Sequence, residues 1–175
     1  MISAAGIAAF GHTDTHENYL RILRRVSADP LADVTEYVLR DVLNLAIGNT
    51  DNHGRNTALR KTADGKVRLA PLFDFAPMRI APAVVARSTK WECMKAEGRD
   101  YNPDWEVVAR VAAGDDLPSS EVLAALAEKA DFVRRIPEIA AKHAVAAEVA
   151  ERAFASHGEI ADGLAALTTM PTKGL

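Results

Sequence analysis

The hydrophobic positions of this chain recur with a helical period and predict a mainly α-helical domain. In residues 14–27 the apolar side chains lie at i, i+3, i+4 and i+7, the spacing of one helix face, with Asp14 as the expected cap. A second, longer helix is predicted to open at Asp33 and to end at Gly48, since glycine is typical of helix ends. From Ser119 onward the chain is alanine-rich and helical.

One short β-hairpin interrupts this helical pattern. Residues 57–60 and 66–70 are predicted strands, because the Ala63-Asp64-Gly65 sequence between them is typical of a hairpin turn. The sequence therefore predicts five to seven helices around one hairpin, in a single domain over residues 1–167. Residues 168–175 are expected to form a disordered tail.

Composition narrows the class of protein. The chain has 175 residues, 49% of them hydrophobic and 26% charged, with a formal net charge of -3. No cluster of Lys and Arg is predicted on any face, so we expect no direct binding of nucleic acid. No apolar run reaches membrane-spanning length, and we expect no membrane association. Cys93 is the single cysteine, which fits a reducing, cytoplasmic location.

The most informative polar residues follow the second predicted helix. Asp51 and Asn56 lie in one loop, and Asp74 follows the hairpin. A carboxylate that accepts a proton, together with an amide oxygen and a second carboxylate for magnesium, is the minimal set for transfer of a phosphoryl group. The Asp-x-x-x-x-Asn spacing is that of a protein-kinase catalytic loop. The alternative is that these residues only form turns, where Asn, Asp and Gly are common.

Residues 49–56 have the pattern Asn-x-Asp-x-His-x-x-Asn, and residues 69–74 have the pattern Leu-x-Pro-x-Tyr/Phe-Asp. These two motifs resemble those of the HipA-like serine/threonine kinases, the toxins of bacterial toxin–antitoxin pairs. The resemblance spans roughly residues 1–155 and implies a protein-kinase-like C-terminal lobe. It implies Asp51 as the catalytic base and Asn56 and Asp74 as the magnesium ligands.

The same resemblance implies roles for other residues and several partners. Asn49 and His53 would support the loop. Mg²⁺ and ATP would be the cofactor and the phosphoryl donor, a protein hydroxyl the acceptor, and a helix-turn-helix antitoxin the partner. The nucleotide-binding lobe of the family does not appear in this sequence, so we expect the isolated chain to bind ATP weakly and to be inactive without a separate N-terminal lobe. An uncovered face around Ala4, Ile7 and Phe10 would then be exposed or buried by self-association.

Other interpretations stay open at this stage. The domain could be a catalytically silent module that binds an antitoxin or a partner lobe. His12 and His16, at i and i+4, could instead bind zinc in a metal-dependent hydrolase; solvated side chains at a helix start, away from the Asp51 cleft, are the preferred interpretation. Arg79, Arg87 and Lys90 are candidates to contact phosphate or an acidic substrate, or are ordinary surface charges.

Overall fold

A computed structural model describes residues 2–3 and 15–169, and it confirms the mainly helical class. The eight α-helices of the described residues are α1 (His16–Val26), α2 (Pro30–Ala46), α3 (Trp105–Ala113), α4 (Ser119–Glu128), α5 (Ala130–Arg134), α6 (Ile136–Lys142), α7 (Ala147–Ala153) and α8 (His157–Ala166). They exceed the predicted five to seven because the alanine-rich segment is divided into five short helices. None of the helices in this part of the chain has the length and apolarity needed to cross a bilayer.

The first two helices begin at different residues from those predicted. Thr15, not Asp14, is the N-cap of α1. Helix α2 begins at Pro30 with Asp29 as its N-cap, three residues before Asp33. Proline suits the first turn of a helix because its missing N–H would have no intrahelical partner there. The end of α2 is as predicted, since Gly48 follows it in a left-handed conformation, with φ of 69°.

The residue that was predicted to start α2 has a different role. Asp33 is buried and accepts hydrogen bonds from the Arg68 Nε at 3.1 Å and from the Leu69 backbone N–H at 3.0 Å. Burial alone would raise the pKa of Asp33, but these bonds and one from the Ser27 hydroxyl hold it below its usual value. Asp33 thereby attaches the hairpin to α2.

The predicted hairpin is part of a larger sheet. Strands β2 (Ala58–Lys61) and β3 (Val67–Leu69) are antiparallel neighbours, and β1 (Ile2–Ser3) pairs with β2 on its other edge. Leu59 is opposite Ile2 on one side and Leu69 on the other. The third strand was not predicted, since two residues are too few to show an alternating pattern.

Helix α2 lies at the centre of the hydrophobic core. It contacts α1, α3, α4 and α8 and leads directly into the 49–56 loop. Its buried side chains Val34, Val38 and Val42 share one hydrophobic core with buried residues of those helices, among them Leu20, Val108, Leu126, Ile160 and Leu164. Because protein interiors pack at high density, the end of α2 is held in a fixed position, and so is the start of the polar loop that follows it. Leu167–Thr169 form a 3-10 turn after α8, so the first residues of the predicted tail are still structured.

Candidate active site

A polar cleft lies at the carboxyl end of α2. It is lined by side chains of α2, of the 49–56 loop and of residues 72–75 beyond the hairpin. Asp51, Asn56 and Asp74 all line it. The fold therefore brings the two sequence motifs to one place, although the hairpin separates them along the chain.

Asn49 fixes the start of the loop. Its backbone N–H donates to the Asn44 carbonyl at 2.8 Å, and its side-chain Nδ2 donates to the Asn44 Oδ1 at 2.9 Å. The side chain is only 3% exposed. Its Oδ1 accepts from the Asp51 backbone N–H at 3.2 Å. These contacts tie the Asp51 backbone to the end of α2, and the supporting role of Asn49 stays a prediction.

The position of Asp51 is defined from its carbonyl as well. The Asn56 Nδ2 donates to the Asp51 backbone oxygen at 2.8 Å, which leaves the Asn56 Oδ1 as an acceptor. The Asp51 carboxylate lies 3.5 Å from the His53 Nε2 and is half-buried. Two buried atoms of the loop, the Thr50 Oγ1 and the His53 Nδ1, have no hydrogen-bond partner among the described residues. The backbone of the loop is thus held by hydrogen bonds, while several of its side-chain polar atoms have no partner among the described residues.

Asp74 enters the cleft in an unusual backbone conformation. Its φ is 52°, in the left-handed region, which Asp tolerates better than most residues. The residue is exposed, and its carboxylate makes no hydrogen bond or ion pair with the described part of the chain. Neighbouring Phe73 and Phe75 are half-buried and line the same cleft. A strained backbone at a polar cleft is a common property of functional sites.

The cleft offers oxygen atoms for a cation. Asp51, Asn56 and Asp74 present two carboxylates and one amide oxygen, the hard donors that Mg²⁺ prefers, and magnesium on a nucleotide takes only one or two protein carboxylates. Within residues 2–3 and 15–169, no group of three or more His, Cys, Asp or Glu side chains is arranged to hold a metal ion. Two carboxylates and an amide oxygen would suit a magnesium ion that takes its remaining ligands from phosphate and water, and its binding here stays a prediction.

A buried ion pair lies beside this open set and was not predicted. The Arg87 Nη2 donates to both carboxylate oxygens of Asp41, at 2.9 and 3.2 Å, and the two side chains are almost fully buried. The Trp91 indole N–H donates to the Asp41 Oδ2 at 2.8 Å. Burial would raise the pKa of Asp41, but Arg87 and its other partners hold it below its usual value. Together with His16 and Tyr37, these residues are called the buried cluster below.

His16 belongs to the buried cluster, which corrects the prediction of a solvated residue away from the cleft. It is 3% exposed and forms part of the cleft wall. Burial is the largest cause that lowers the pKa of His16 to about 4. In the neutral ring, Nε2 accepts from the Arg87 Nη2 at 3.2 Å, so Nδ1 carries the proton and donates to the Tyr37 hydroxyl at 3.0 Å. Both ring nitrogens are therefore engaged and not free for zinc; His12 lies outside the described residues, as do Ala4, Ile7 and Phe10.

The three basic candidates for phosphate or substrate contact lie elsewhere. Arg87 is 3% exposed and pairs with Asp41, so in this structure it is neither an ordinary surface charge nor free to contact phosphate or a substrate. Arg79 donates to the Ser156 hydroxyl at 3.1 Å, and exposed Lys90 pairs with Asp100. None of the three is among the cleft-lining side chains of the described residues.

The sequence does contain a signal for the buried cluster. Asp41 occupies an apolar stripe of α2, four residues after Tyr37 and four before Leu45, both of which are buried. A charge in such a stripe must have a buried partner, because an unpaired one is very costly. The sequence could not identify Arg87 as that partner, since the pairing joins positions 46 residues apart.

Comparisons with known proteins agree with this architecture. The family model described as the HipA-like C-terminal domain matches residues 1–149. The putative kinase Y4mE of Sinorhizobium fredii is 32% identical over 108 residues, which are 59% of this chain and 24% of the relative. A chain in the solved Shewanella oneidensis MR-1 complex of HipA, HipB and operator DNA has a TM-score of 0.56 and 18% identity, covering 92% of this chain and 36% of its own length.

These matches fix the family and the fold. The family match covers most of the chain, and the structural match shows the same fold at low identity. This chain spans about a quarter of the length of the matched relative and about a third of the matched solved chain. The chain belongs to the HipA-like C-terminal domain family.

Proposed function

We propose that this domain is the C-terminal lobe of a protein kinase that transfers the γ-phosphoryl group of ATP to a serine or threonine hydroxyl of a protein. The observation that carries the proposal is the meeting of Asp51, Asn56 and Asp74 in one cleft. A kinase-like relative and the family match support the same reaction class. The alternative in which these residues only form turns does not require that both motifs share a cleft.

In this proposal Asp51 accepts the proton of the attacking hydroxyl. Its backbone is held from both sides by Asn49 and Asn56, so its carboxylate would stay in a fixed place while a substrate binds. The His53 Nε2 lies 3.5 Å from the Asp51 carboxylate and would orient it without itself binding the metal. A positioned base of this kind contributes about 10²- to 10⁴-fold to a rate.

Asn56 and Asp74 would hold the cation. Bound magnesium supplies neutralisation of the charge on the nucleotide phosphates. The Asn56 Oδ1 is available because its Nδ2 is used by the Asp51 carbonyl, and the Asp74 carboxylate is open and exposed. Since most nucleotide contacts would come from another lobe, we expect the chain alone to bind Mg-ATP with a Kd of about 1 mM or weaker.

The test joins the full chain to the N-terminal lobe of a related kinase and measures transfer of labelled phosphate to protein serine or threonine. Asp51→Asn should lower kcat by about 10²- to 10⁴-fold through loss of the proton acceptor. Asp74→Asn should weaken Mn²⁺ binding as well, measured by paramagnetic relaxation. Asn102→Ala, which changes a half-buried side chain paired with Glu159 away from the cleft, is the control and should leave both measurements unchanged.

Two results would overturn the kinase proposal. One is an Asp51→Asn rate equal to that of the unchanged enzyme. The other is a completed enzyme that folds, binds Mn²⁺ and transfers no phosphate. Either result would favour a silent module that binds an antitoxin or a partner lobe.

We further propose a toxin–antitoxin setting in a bacterial cytoplasm with a helix-turn-helix antitoxin as partner. The matched chain comes from a solved complex of HipA, HipB and operator DNA, and this chain shares the fold of about a third of it. DNA contact is assigned to the antitoxin, because this chain has a net charge of -3. Co-purification with the product of an adjacent gene for a helix-turn-helix protein tests this partnership. The proposal would be contradicted if the two proteins formed no complex either with DNA or without it.

A further inference from the structure

Arg40 of α2 lines the same cleft as Asp51 and Asp74. Among the cleft-lining side chains of residues 2–3 and 15–169, it is the single lysine or arginine. His16 in the cleft wall is neutral near pH 7, since burial lowers its pKa to about 4. A guanidinium keeps its charge throughout the pH range of a folded protein, so Arg40 supplies a permanent positive charge to this cleft.

Most of the hydrogen-bonding capacity of Arg40 is unused. Its Nε donates to the Glu36 Oε1 at 2.8 Å, and neither Nη atom has a hydrogen-bond or ion-pair partner among the described residues. Unlike the Arg87 Nε and Nη1, which lack partners but are sealed from solvent, the Arg40 Nη atoms stay accessible. The two Nη atoms carry the remaining N–H donors of the guanidinium, and these are open to a ligand.

The pair of Arg40 with Glu36 differs from an ordinary ion pair on a helix surface. The Arg40 side chain is 11% exposed, whereas that of Glu36 is 49% exposed. An i,i+4 pair in solvent contributes little to stability and does not require burial of the cation. A largely buried guanidinium with open donors favours an anionic ligand, because arginine binds phosphate and carboxylate through parallel N–H bonds.

The other charges of the cleft indicate which anion this is. Asp51 and Asp74 are open carboxylates, and the charge of one magnesium ion would do no more than cancel theirs. The phosphate groups of a nucleotide would bring further negative charge to the same place. Asp41 is already paired with Arg87, so Arg40 is the cation of the described cleft that is left to neutralise phosphate.

We propose that Arg40 is a phosphate-contacting residue, which binds oxygen atoms of a magnesium-bound polyphosphate through its Nη atoms. This inference rests on the proposed kinase function and adds the positive charge that the magnesium ligands do not supply. It implies that this lobe recognises the phosphate chain itself, without contacts to the base or ribose of a nucleotide.

The first experiment titrates the full chain with inorganic tripolyphosphate and Mg²⁺ and follows binding by phosphorus NMR. The unchanged chain should bind with a Kd of about 1 mM. Arg40→Met, which keeps an unbranched side chain without the charge, should weaken binding at least about tenfold. Arg40→Lys should recover part of the affinity, since it keeps the charge but not the paired donors. Arg40→Gln takes the place of Arg40→Met if that variant fails to fold.

Two control variants separate phosphate binding from the stability of α2. Glu36→Gln removes the same ion pair but keeps the cation, so its affinity for tripolyphosphate should be unchanged or higher. Arg134→Met removes an exposed arginine that pairs with Asp162 outside the cleft, and it should bind like the unchanged chain. Equal losses of affinity in Glu36→Gln and Arg40→Met would assign Arg40 to the ion pair alone and overturn the proposal.

A second measurement uses the chain joined to the N-terminal lobe of a related kinase. Arg40→Met should lower kcat/KM for ATP at least about tenfold and leave the KM for the protein substrate within about twofold. A raised KM for the protein substrate, with tripolyphosphate binding retained, would make Arg40 a contact to an acidic polypeptide and overturn the phosphate assignment. Absence of tripolyphosphate binding by the unchanged chain up to about 10 mM would overturn it as well.

These outcomes are distinct from a failure of the kinase proposal. If tripolyphosphate binding depends on Arg40 but the completed enzyme transfers no phosphate, the phosphate site stands and the kinase proposal fails. If the completed enzyme is active, loses its rate in Asp51→Asn and is unaffected by Arg40→Met, the kinase proposal stands and the role of Arg40 is wrong.

Discussion

Two groups of polar side chains share the cleft and differ in what happens to their charges. In the buried cluster, Asp41 is 2% exposed and is matched by Arg87 and the Trp91 indole. In the open set of Asp51, Asn56 and Asp74, the Asp74 carboxylate has no partner in the described part of the chain. The first group pairs its buried charges with each other, although the Arg87 Nε and Nη1 have no hydrogen-bond partner among the described residues, whereas the second leaves acceptors available.

This difference distinguishes structural from functional polarity in the same cleft. A buried charge that lacks a partner destabilises the fold, so a stable fold requires a partner for it. An exposed carboxylate costs little without a partner and can bind a cation instead. We therefore expect substitutions in the buried cluster to change stability, and substitutions in the open set to change binding and rate.

The largest effect is expected for Arg87→Met. The change leaves the Asp41 carboxylate buried without its cation, which should lower the free energy of unfolding by about 3–5 kcal/mol. Urea denaturation followed by circular dichroism measures the loss. The double variant Asp41→Leu/Arg87→Met should recover part of it, since the unpaired charge is gone but Trp91 has lost its acceptor.

The control for this prediction is an exposed ion pair. Arg134 contacts the Asp162 carboxylate at 2.9 Å with both side chains largely exposed. Arg134→Met should cost less than about 1 kcal/mol. Equal losses for Arg87→Met and Arg134→Met would show that burial of the cluster has no energetic importance.

The pH dependence of stability should be the next largest effect. His16 has a pKa near 4 in the folded chain and an ordinary value of 6.5, so the unfolded chain binds the extra proton between these pH values. Stability should therefore fall by about 3 kcal/mol as the pH is lowered from 6.5 to 4. The groups around the ring are Asp41, Glu17 and Arg87, and their charges shift its pKa less than burial does.

Substitution of the histidine tests the assignment. His16→Gln should flatten the stability curve between pH 6.5 and 4, whatever its effect on absolute stability. His143→Gln, at an exposed position, is the control and should keep the slope of the unchanged chain. A slope that is the same in all three proteins would mean that a different group carries the pH dependence.

The sequence predicted the fold best where a local pattern decides the structure. The apolar period of α2 and the stop at Gly48 were read correctly, because a helix buried on one face repeats every 3.6 residues. The start of α2 was misplaced, because Asp33 resembles a cap in sequence but bonds to Arg68 across the fold. The same limit explains why strand β1 was not predicted, since its partner Leu59 is distant in the chain.

For the site, the sequence supplied the residues of the open set but not their surroundings. Asp51, Asn56 and Asp74 were identified from spacing and resemblance, and the structure places them along one cleft, while their roles stay predictions. Arg87 was interpreted as an ordinary surface charge or a contact to phosphate or an acidic substrate, because a basic residue beyond Asp74 carries no mark of burial in its neighbours. Pairings that depend on tertiary contacts, such as Arg87 with Asp41, cannot be read from composition or period.

A smaller effect on stability is expected at Gly48, which directly precedes the loop that carries Asp51 and Asn56. Gly48 has a φ of 69°, and a Cβ at this position would lie 2.5 Å from the Ala153 carbonyl oxygen. Gly48→Ala should therefore destabilise the chain by about 2–3 kcal/mol, through backbone strain and this close contact. Thermal unfolding measures the change.

Gly98 offers a matched control for this substitution. Its φ is 65°, but a Cβ there would meet nothing within 4 Å. Gly98→Ala should cost only the conformational part, about 1 kcal/mol. Similar losses for the two variants would indicate that the packing of Gly48 against Ala153 contributes nothing.

The smallest and most specific effect is expected at Asp74. Its left-handed backbone, with φ of 52°, is one that glycine adopts without strain. Asp74→Gly should raise the free energy of unfolding by about 0.5 kcal/mol, because the relieved strain slightly exceeds the added freedom of the unfolded chain. The same substitution should weaken Mn²⁺ binding at least tenfold, measured by relaxation titration. Asp74→Asn, which keeps the side-chain shape, should lose the cation with stability unchanged within about 0.5 kcal/mol. If Asp74→Gly destabilised the chain by more than about 1 kcal/mol, the carboxylate would have to be a structural group like Asp41, and the distinction between the two parts of the cleft would fail.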